Sequence, residues 1–255
     1  MVISNDPRAK GPMWMVDHGA RHLTYLSRSG GTGVHDEALV TELAAAGCVV
    51  QIIAGSVTNL ADVRKFTTQA TMPIAGVAQM SMVLRDSGFP QMTHEDWMDV
   101  ASPKVQGTWN LHETFKYHAL DFFLLFSSFS GLVRQWGQAN YASANTFLDA
   151  FVQFRHAAGL PTSVLDIGAM ADVGYVSQNA GVMEQFRATA VHILRGQDLL
   201  DVLTLSIQQQ SQPVSRGKLL DGYVKPLARK GSFATCYEAR LSGTKQTYAL
   251  KILKS

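Results

Sequence analysis

Within SSFSGLVRQWGQANYASANTFLDA, residues 127–150, a hydroxyl (Ser128), a phenol (Tyr141) and a carboxamide (Asn145) recur at spacings that a strand end, a loop and a helix would bring together. Tyr141 and Asn145 stand at i and i+4, one face of a helix. Ser128 closes an apolar run, and Gly131 and Gly137 let the intervening chain fold back. Lys104, on the preceding helical stretch, can carry an ammonium to the same crevice. The set suits carbonyl reduction. A phenol protonates a nascent alkoxide once a nearby cation draws its pKa down from about 10, and Lys104 would supply that cation. Ser128 would hold the carbonyl oxygen in register, and Asn145 would position a water for proton resupply. No side chain donates hydride, so the chemistry requires a redox cofactor.

Taken singly, a helical tyrosine packs, a lysine is solvated and a strand-end serine bonds the backbone. Their joint spacing is what points to a site. His18, His94, His112 and His118 share no metal-ligand spacing and read as surface or core histidines.

The elements that must position these residues alternate along the chain. Residues 21–27, 48–54, 74–80, 120–126 and 162–167 read as strands; 35–46, 60–70, 103–118 and 139–158 read as helices, with a further helical start after Thr93. Gly47 is a C-cap signal, and Asn59 with Asp62, like Thr93 with Asp96, is an N-terminal capping pattern. The run LDFFLLF is apolar at nearly every position, as a strand buried on both faces requires. The fold class is therefore α/β, a doubly wound parallel sheet whose ligands bind beyond the carboxyl ends of the strands, where Ser128 falls.

Composition excludes other classes. Of the 255 residues, 46% are hydrophobic and 16% charged, with a net charge of +2 from scattered lysines and arginines. Neither a nucleic-acid footprint nor a polybasic membrane patch follows from that. Cys48 and Cys236 are too far apart in sequence for a disulfide framework or a metal cluster and read as reduced thiols. No secretory leader and no apolar run of about 18 residues is visible, so a cytoplasmic protein is expected.

These motifs resemble the short-chain dehydrogenase/reductase superfamily. More narrowly, FSSFSGLVRQWGQANYASANTFLDAF resembles the ketoreductase domain of polyketide synthases, whose tyrosine and asparagine lie in GQxNYxxAN. The stretches WMVDHGARHLTYLSRSG, IAGVAQMSMVLRDSGFPQMTHEDW, SPKVQGTWNLHE and LDIGAMADVGYV are similar to the fungal highly reducing branch. The resemblance runs over residues 13–207 and implies a Rossmann-like fold with Lys104, Ser128, Tyr141 and Asn145 as catalytic tetrad. It implies NADPH as cofactor, contacted by Arg28 at the ribose 2′-phosphate beside Ser27, by Ser56 and Val57 near the adenine, and by Tyr141 and Lys104. At Ser56 many relatives carry aspartate. The implied substrate is a β-ketoacyl thioester, carried on an acyl carrier protein within a polyketide synthase system. Residues 169–190 would form the lid that selects it.

Two segments depart from that pattern. Residues 1–12, MVISNDPRAKGP, contain Gly11 alone and no apolar run, so neither the first strand nor a G-x-G-x-x-G turn for the pyrophosphate is expected there. The reading is of a truncated ketoreductase sheet lacking its first strand. A catalytically inactive remnant, or a non-catalytic binding protein of a synthase system, is the alternative from another class. After a linker over residues 208–218, residues 219–255 form a small β-rich fragment resembling the opening strands of a protein kinase. In that resemblance Lys251 is the strand lysine, and Arg229 stands where the first loop glycine would be. The chain has no catalytic loop or Asp-Phe-Gly, which excludes phosphotransfer.

Overall fold

The computed structural model describes residues 2–3, 11–133, 135–172, 174–188, 193–211, 224–226, 234–240 and 247–253. Six strands, β1 (Val2–Ile3), β2 (His22–Ser27), β3 (Val49–Ala54), β4 (Gly76–Gln79), β5 (Phe122–Ser128) and β6 (Ser163–Ile167), form one parallel sheet. Their order is β3-β2-β1-β4-β5-β6. The chain winds outward one way from β1 and then the other way from β4, so the topological switch point lies between those two strands.

The helices cover both faces. On one, α3 (Leu60–Gln69), α4 (His94–Phe115) and α5 (Ala139–Ala157) bury Phe66, Leu111, Phe115, Leu148 and Phe151 against Leu26, Val77, Phe123 and Leu125. On the other, α1 (Gly11–Asp17) and α2 (Val34–Ala45) pack Val16, Leu39 and Leu43 on Leu23 and Tyr25. There α8 (Gly196–Ser211) sets Leu200 and Leu203 against Ala78, Leu124, Phe126 and Leu165. Successive residues of β5 thus serve opposite layers, which is why this strand is apolar throughout. Two short helices, α6 (Gly174–Ser177) and α7 (Ala180–Ala188), lie within the expected lid.

The first strand requires a correction. No strand is legible before residue 13, yet Val2–Ile3 occupies the central position, with Val2 opposite Tyr25 of β2 and opposite Ala78 of β4, and Ile3 opposite Gln79. A pair of β-branched residues is too short to show a period, but a ladder on each side can hold it in register. The sheet has a shortened first strand where none was expected. Residues 4–10 lie outside the described residues.

One capping contact and two boundaries differ for physical reasons. The side chain of Asn59 caps α3 by accepting from the Ala61 N–H at 2.9 Å, as its type predicts. Asp62 reaches instead to the Ser56 N–H, also at 2.9 Å, and so ties down the loop after β3. The Thr93–Asp96 capping box forms in both directions, at 3.0 Å each way. From it α4 runs unbroken through Pro103, because Val100, Ala101, Lys104, Gly107, Thr108 and Leu111 are buried along its length. Proline removes one rung of the helix, and packing outweighs that loss. Helix α8 continues through residues 208–211, where the Gln210 side chain accepts from the Phe123 N–H and donates to Ser163 Oγ, both at 2.8 Å.

The C-terminal segment contains β7 (Val224–Pro226), β8 (Ala234–Arg240) and β9 (Thr247–Leu253) in an antiparallel sheet, with Cys236 opposite Lys251. The glycine-loop reading over Arg229 and Gly231 lies outside the described residues.

Candidate active site

Helix α4 and strand β5 together place the cation. Lys104 is 3% exposed, and its Nζ donates to the Phe126 carbonyl at 2.7 Å. The same Nζ stands 5.6 Å from the centroid of the Tyr141 ring. Gln79, at the end of β4, braces this arrangement: its amide donates to the Pro103 carbonyl at 2.8 Å and its Oε1 accepts from the Ser81 N–H at 3.1 Å.

Ser128 ends β5, and its Oγ accepts from the Ser130 N–H at 3.2 Å, capping a 3-10 turn over Phe129–Gly131. That turn lies on α5. A Cβ on Gly131 would stand 3.2 Å from Asn145 Cβ, so glycine permits the close approach of the turn to the helix. Asn145 is fully buried and donates to the Tyr141 carbonyl at 2.8 Å, while its own carbonyl accepts from Ser127 Oγ at 3.4 Å. Its Oδ1 is buried and has no partner among the described residues. Such an orphan acceptor fits an ordered water or a bound polar group.

Burial drives the electrostatics. Desolvation raises the pKa of the Tyr141 phenol, and Ser128 and Asn145 oppose that rise. Desolvation also lowers Lys104 to about 7, against the opposing charge of Asp166. Burial thus brings the lysine toward neutrality and carries the phenol away from it, so the lowering of the phenol pKa expected from Lys104 is not seen in the chain by itself. The phenol itself donates to the thioether of Met82 at 3.3 Å.

Gln79 and Asn140 carry no reading in the sequence, and the methionines of QMSM, residues 79–82, read there as core or lid packing rather than as part of a site. Asn140 is fully buried and its amide donates to the Arg85 and Asp96 carbonyls, at 3.1 and 3.2 Å, while its Oδ1 accepts from the Tyr141 N–H at 2.8 Å. One side chain therefore joins the segment after β4, the first turn of α4 and the start of α5. Its place inside GQxNYxxAN was the available signal. A cleft of about 530 Å3 opens between residues 87–91 and 135–142, lined by Phe89, Trp136, Gln138 and Ala142 among others.

The residues expected at the cofactor end lie along the same edge of the sheet. Ser27 is the last residue of β2, and Ser27 Oγ pairs with Ser29 Oγ at 2.9 Å. Arg28 follows, exposed. The turn continues through Gly30 and Gly31 at φ of 62° and 81°, and a Cβ on Gly31 would stand 2.9 Å from Ile52 Cδ1, so this tight turn requires glycine. Ser56 follows β3 and pairs its hydroxyl with that of Thr58 at 2.8 Å. The Val57 side chain is in the core, and its carbonyl accepts from Asn110 Nδ2 at 2.9 Å. Arg28 follows β2, Ser56 follows β3 and Ser128 ends β5, so all three lie at the carboxyl ends of the parallel strands, where doubly wound sheets take their ligands. The tetrad residues are brought together, whereas Ser27, Arg28, Ser56 and Val57 stand further along the edge. No His/Cys/Asp/Glu cluster suited to a metal occurs among the described residues, and none of their helices is long and apolar enough to cross a membrane.

A doubly wound parallel sheet of this strand order, with Lys104, Ser128, Tyr141 and Asn145 at or just beyond its strand ends, is a Rossmann-like fold. Residues 11–172 match the family model described as the KR domain. The chain is 60% identical over 212 residues to a highly reducing polyketide synthase of a Fusarium species, covering 83% of this chain and 8% of the synthase. With a highly reducing polyketide synthase of Purpureocillium lilacinum it shares 54% identity over 209 residues, 82% of this chain and 8% of the relative. The chain thus spans about 8% of the length of these curated relatives. Among solved structures it resembles the first ketoreductase of the tylosin synthase, at TM-score 0.71 and 28% identity over 82% of this chain and 46% of that one. A-type ketoreductases of a modular polyketide synthase share its fold at TM-score 0.77 and 23% identity, over 82% of this chain and 45% of theirs. The chain belongs to the KR domain family, with the ketoreductase domains of fungal highly reducing polyketide synthases as its relatives.

Proposed function

We propose that this chain reduces a β-ketoacyl thioester to its β-hydroxyacyl form, with NADPH as reductant and the substrate presented on a carrier protein. The observation that carries the reading is the buried Lys104 ammonium, packed against the Tyr141 ring beside Ser128 and Asn145. A lysine ammonium has three donors, and one acceptor, the Phe126 carbonyl, is in contact with it among the described residues. The remaining donors suit the ribose hydroxyls of a nicotinamide nucleotide, so the residues fit that cofactor. Lys104 and Tyr141 would hold the ribose, and Arg28 the 2′-phosphate with Ser27 and Ser56 nearby. The bound nucleotide supplies the hydride.

What the chain supplies is a proton, a dock and a field. Tyr141 gives its phenolic proton to the substrate oxygen as negative charge grows there. The Lys104 cation, close to the ring in a dry setting, favours the phenolate that remains. Ser128 shares its hydroxyl with the same oxygen. Asn145 Oδ1, buried and unpartnered, takes the water through which the phenolate is reprotonated.

One sequence feature favours the inactive reading: SNDPRAK, residues 4–10, has no glycine where a pyrophosphate turn would need backbone amides free of side chains. Titration of the chain with NADPH, followed by nucleotide fluorescence, separates the two. A saturable change that weakens in Lys104→Met supports the reductase. No binding at millimolar nucleotide would sink it.

A further inference from the structure

We infer that the Met82 thioether is the resting acceptor of the Tyr141 proton and occupies the place of the substrate carbonyl, which must displace it. This inference rests on the reductase reading and adds a positioning residue to it.

The phenol is 8% exposed and donates to Met82 Sδ at 3.3 Å. Ser128 and Asn145 also stand within reach of the phenol and oppose the rise in its pKa, while Ser128 Oγ accepts from the Ser130 N–H and the Asn145 amide donates to the Tyr141 carbonyl. Met82 lies just after β4, in a segment bound to the start of α5 at two points. Asn140 donates to the Arg85 carbonyl, and Gln138 donates to the Asp86 carboxylate at 2.9 Å. The sulfur is thereby kept over the phenol.

A thioether suits a temporary acceptor. Sulfur accepts weakly, so it satisfies a buried hydroxyl yet yields to a carbonyl oxygen. Methionine is unbranched and flexible, so the side chain can swing aside without moving the backbone. A side chain without an acceptor would leave the phenol to Ser128 and Asn145, and a carboxamide would compete with substrate too well.

The test uses the full chain labelled with [methyl-13C]methionine. The Met82 signal is assigned by its loss in Met82→Leu, a volume-conserving change, or in Met82→Gln should the leucine variant not fold. The Met82 methyl is expected to shift in Tyr141→Phe, and to shift again when wild type binds a β-ketoacyl thioester without NADPH. In turnover, Met82→Leu is expected to lower KM about two- to fivefold, the worth of one weak hydrogen bond, and to raise kcat/KM accordingly. A methyl that ignores Tyr141→Phe, or that responds to it and ignores the thioester, overturns the inference, as does a raised KM. A merely structural role would lower kcat/KM. Should the chain consume no NADPH with any keto thioester, the proposed function fails, and the two methyl shifts still decide Met82.

Discussion

Replacing Lys104 by methionine should stabilise the protein below neutral pH, and the gain should vanish as pH rises. The ammonium is 3% exposed, and desolvation brings its pKa from 10.5 to about 7. Between those values the unfolded chain holds a proton that the folded chain has released, so stability rises with pH. The stability is complete above the unfolded value and is lost as pH falls to the folded one. At about 1.36 kcal/mol per pH unit, that interval amounts to about 5 kcal/mol. Against it, methionine leaves the Phe126 carbonyl without its donor, at about 1–2 kcal/mol. The net expectation at pH 6 is a variant more stable by about 3 kcal/mol. The assay is urea unfolding of both proteins from pH 6 to 10, read by tryptophan fluorescence. The difference between their unfolding free energies should narrow with pH and reverse near pH 10, since titrations common to both cancel. Parallel curves over that range would refute the claim that this lysine is held in a desolvated site.

Further outcomes follow from the same structure. Asn140→Ala removes hydrogen bonds to two carbonyls and one N–H from a fully buried side chain, so chemical denaturation should show a loss of about 2–4 kcal/mol; Asn140→Asp, which sets a carboxylate against those carbonyls, should be no better. His112 Nδ1 lies 3.0 Å from the buried Arg155 guanidinium, and desolvation with that charge lowers the imidazole pKa. The folded state thus resists protonation that the unfolded state accepts, and the thermal midpoint should drop as pH falls below about 6.5, with a shallower drop in His112→Asn. Arg28→Ala should weaken NADPH about 10- to 100-fold while leaving NADH binding close to wild type, measured by paired titrations.

Much of this architecture was legible because it rests on strong local signals. The apolar run over residues 120–126, which forms as a strand shifted two residues on to Ser128, the i, i+4 pair Tyr141 and Asn145, and the Thr93–Asp96 box all follow from residue type and spacing. The illegible parts depend on contacts between segments remote in sequence. Val2–Ile3 becomes a strand because β2 and β4 are already there to pair with it. Pro103 stays inside α4 because the helix is packed on both sides of it. Asp62 caps the loop at Ser56 rather than its own helix because the chain folds back to it. Met82 acquires its place only when α5 sets the Tyr141 phenol against it, 59 residues further along. None of these leaves a period or a motif to read.

The central claim, that Tyr141 is the acid of a ketoreductase, is tested most directly by NADPH consumption with a β-ketoacyl thioester surrogate, comparing wild type with Tyr141→Phe. Tyr141→Phe removes one oxygen and keeps the ring against Lys104, so the fold should survive. Wild type is expected to turn over, and the variant to lose about 10²-fold or more. Turnover at the wild-type rate in Tyr141→Phe would contradict it.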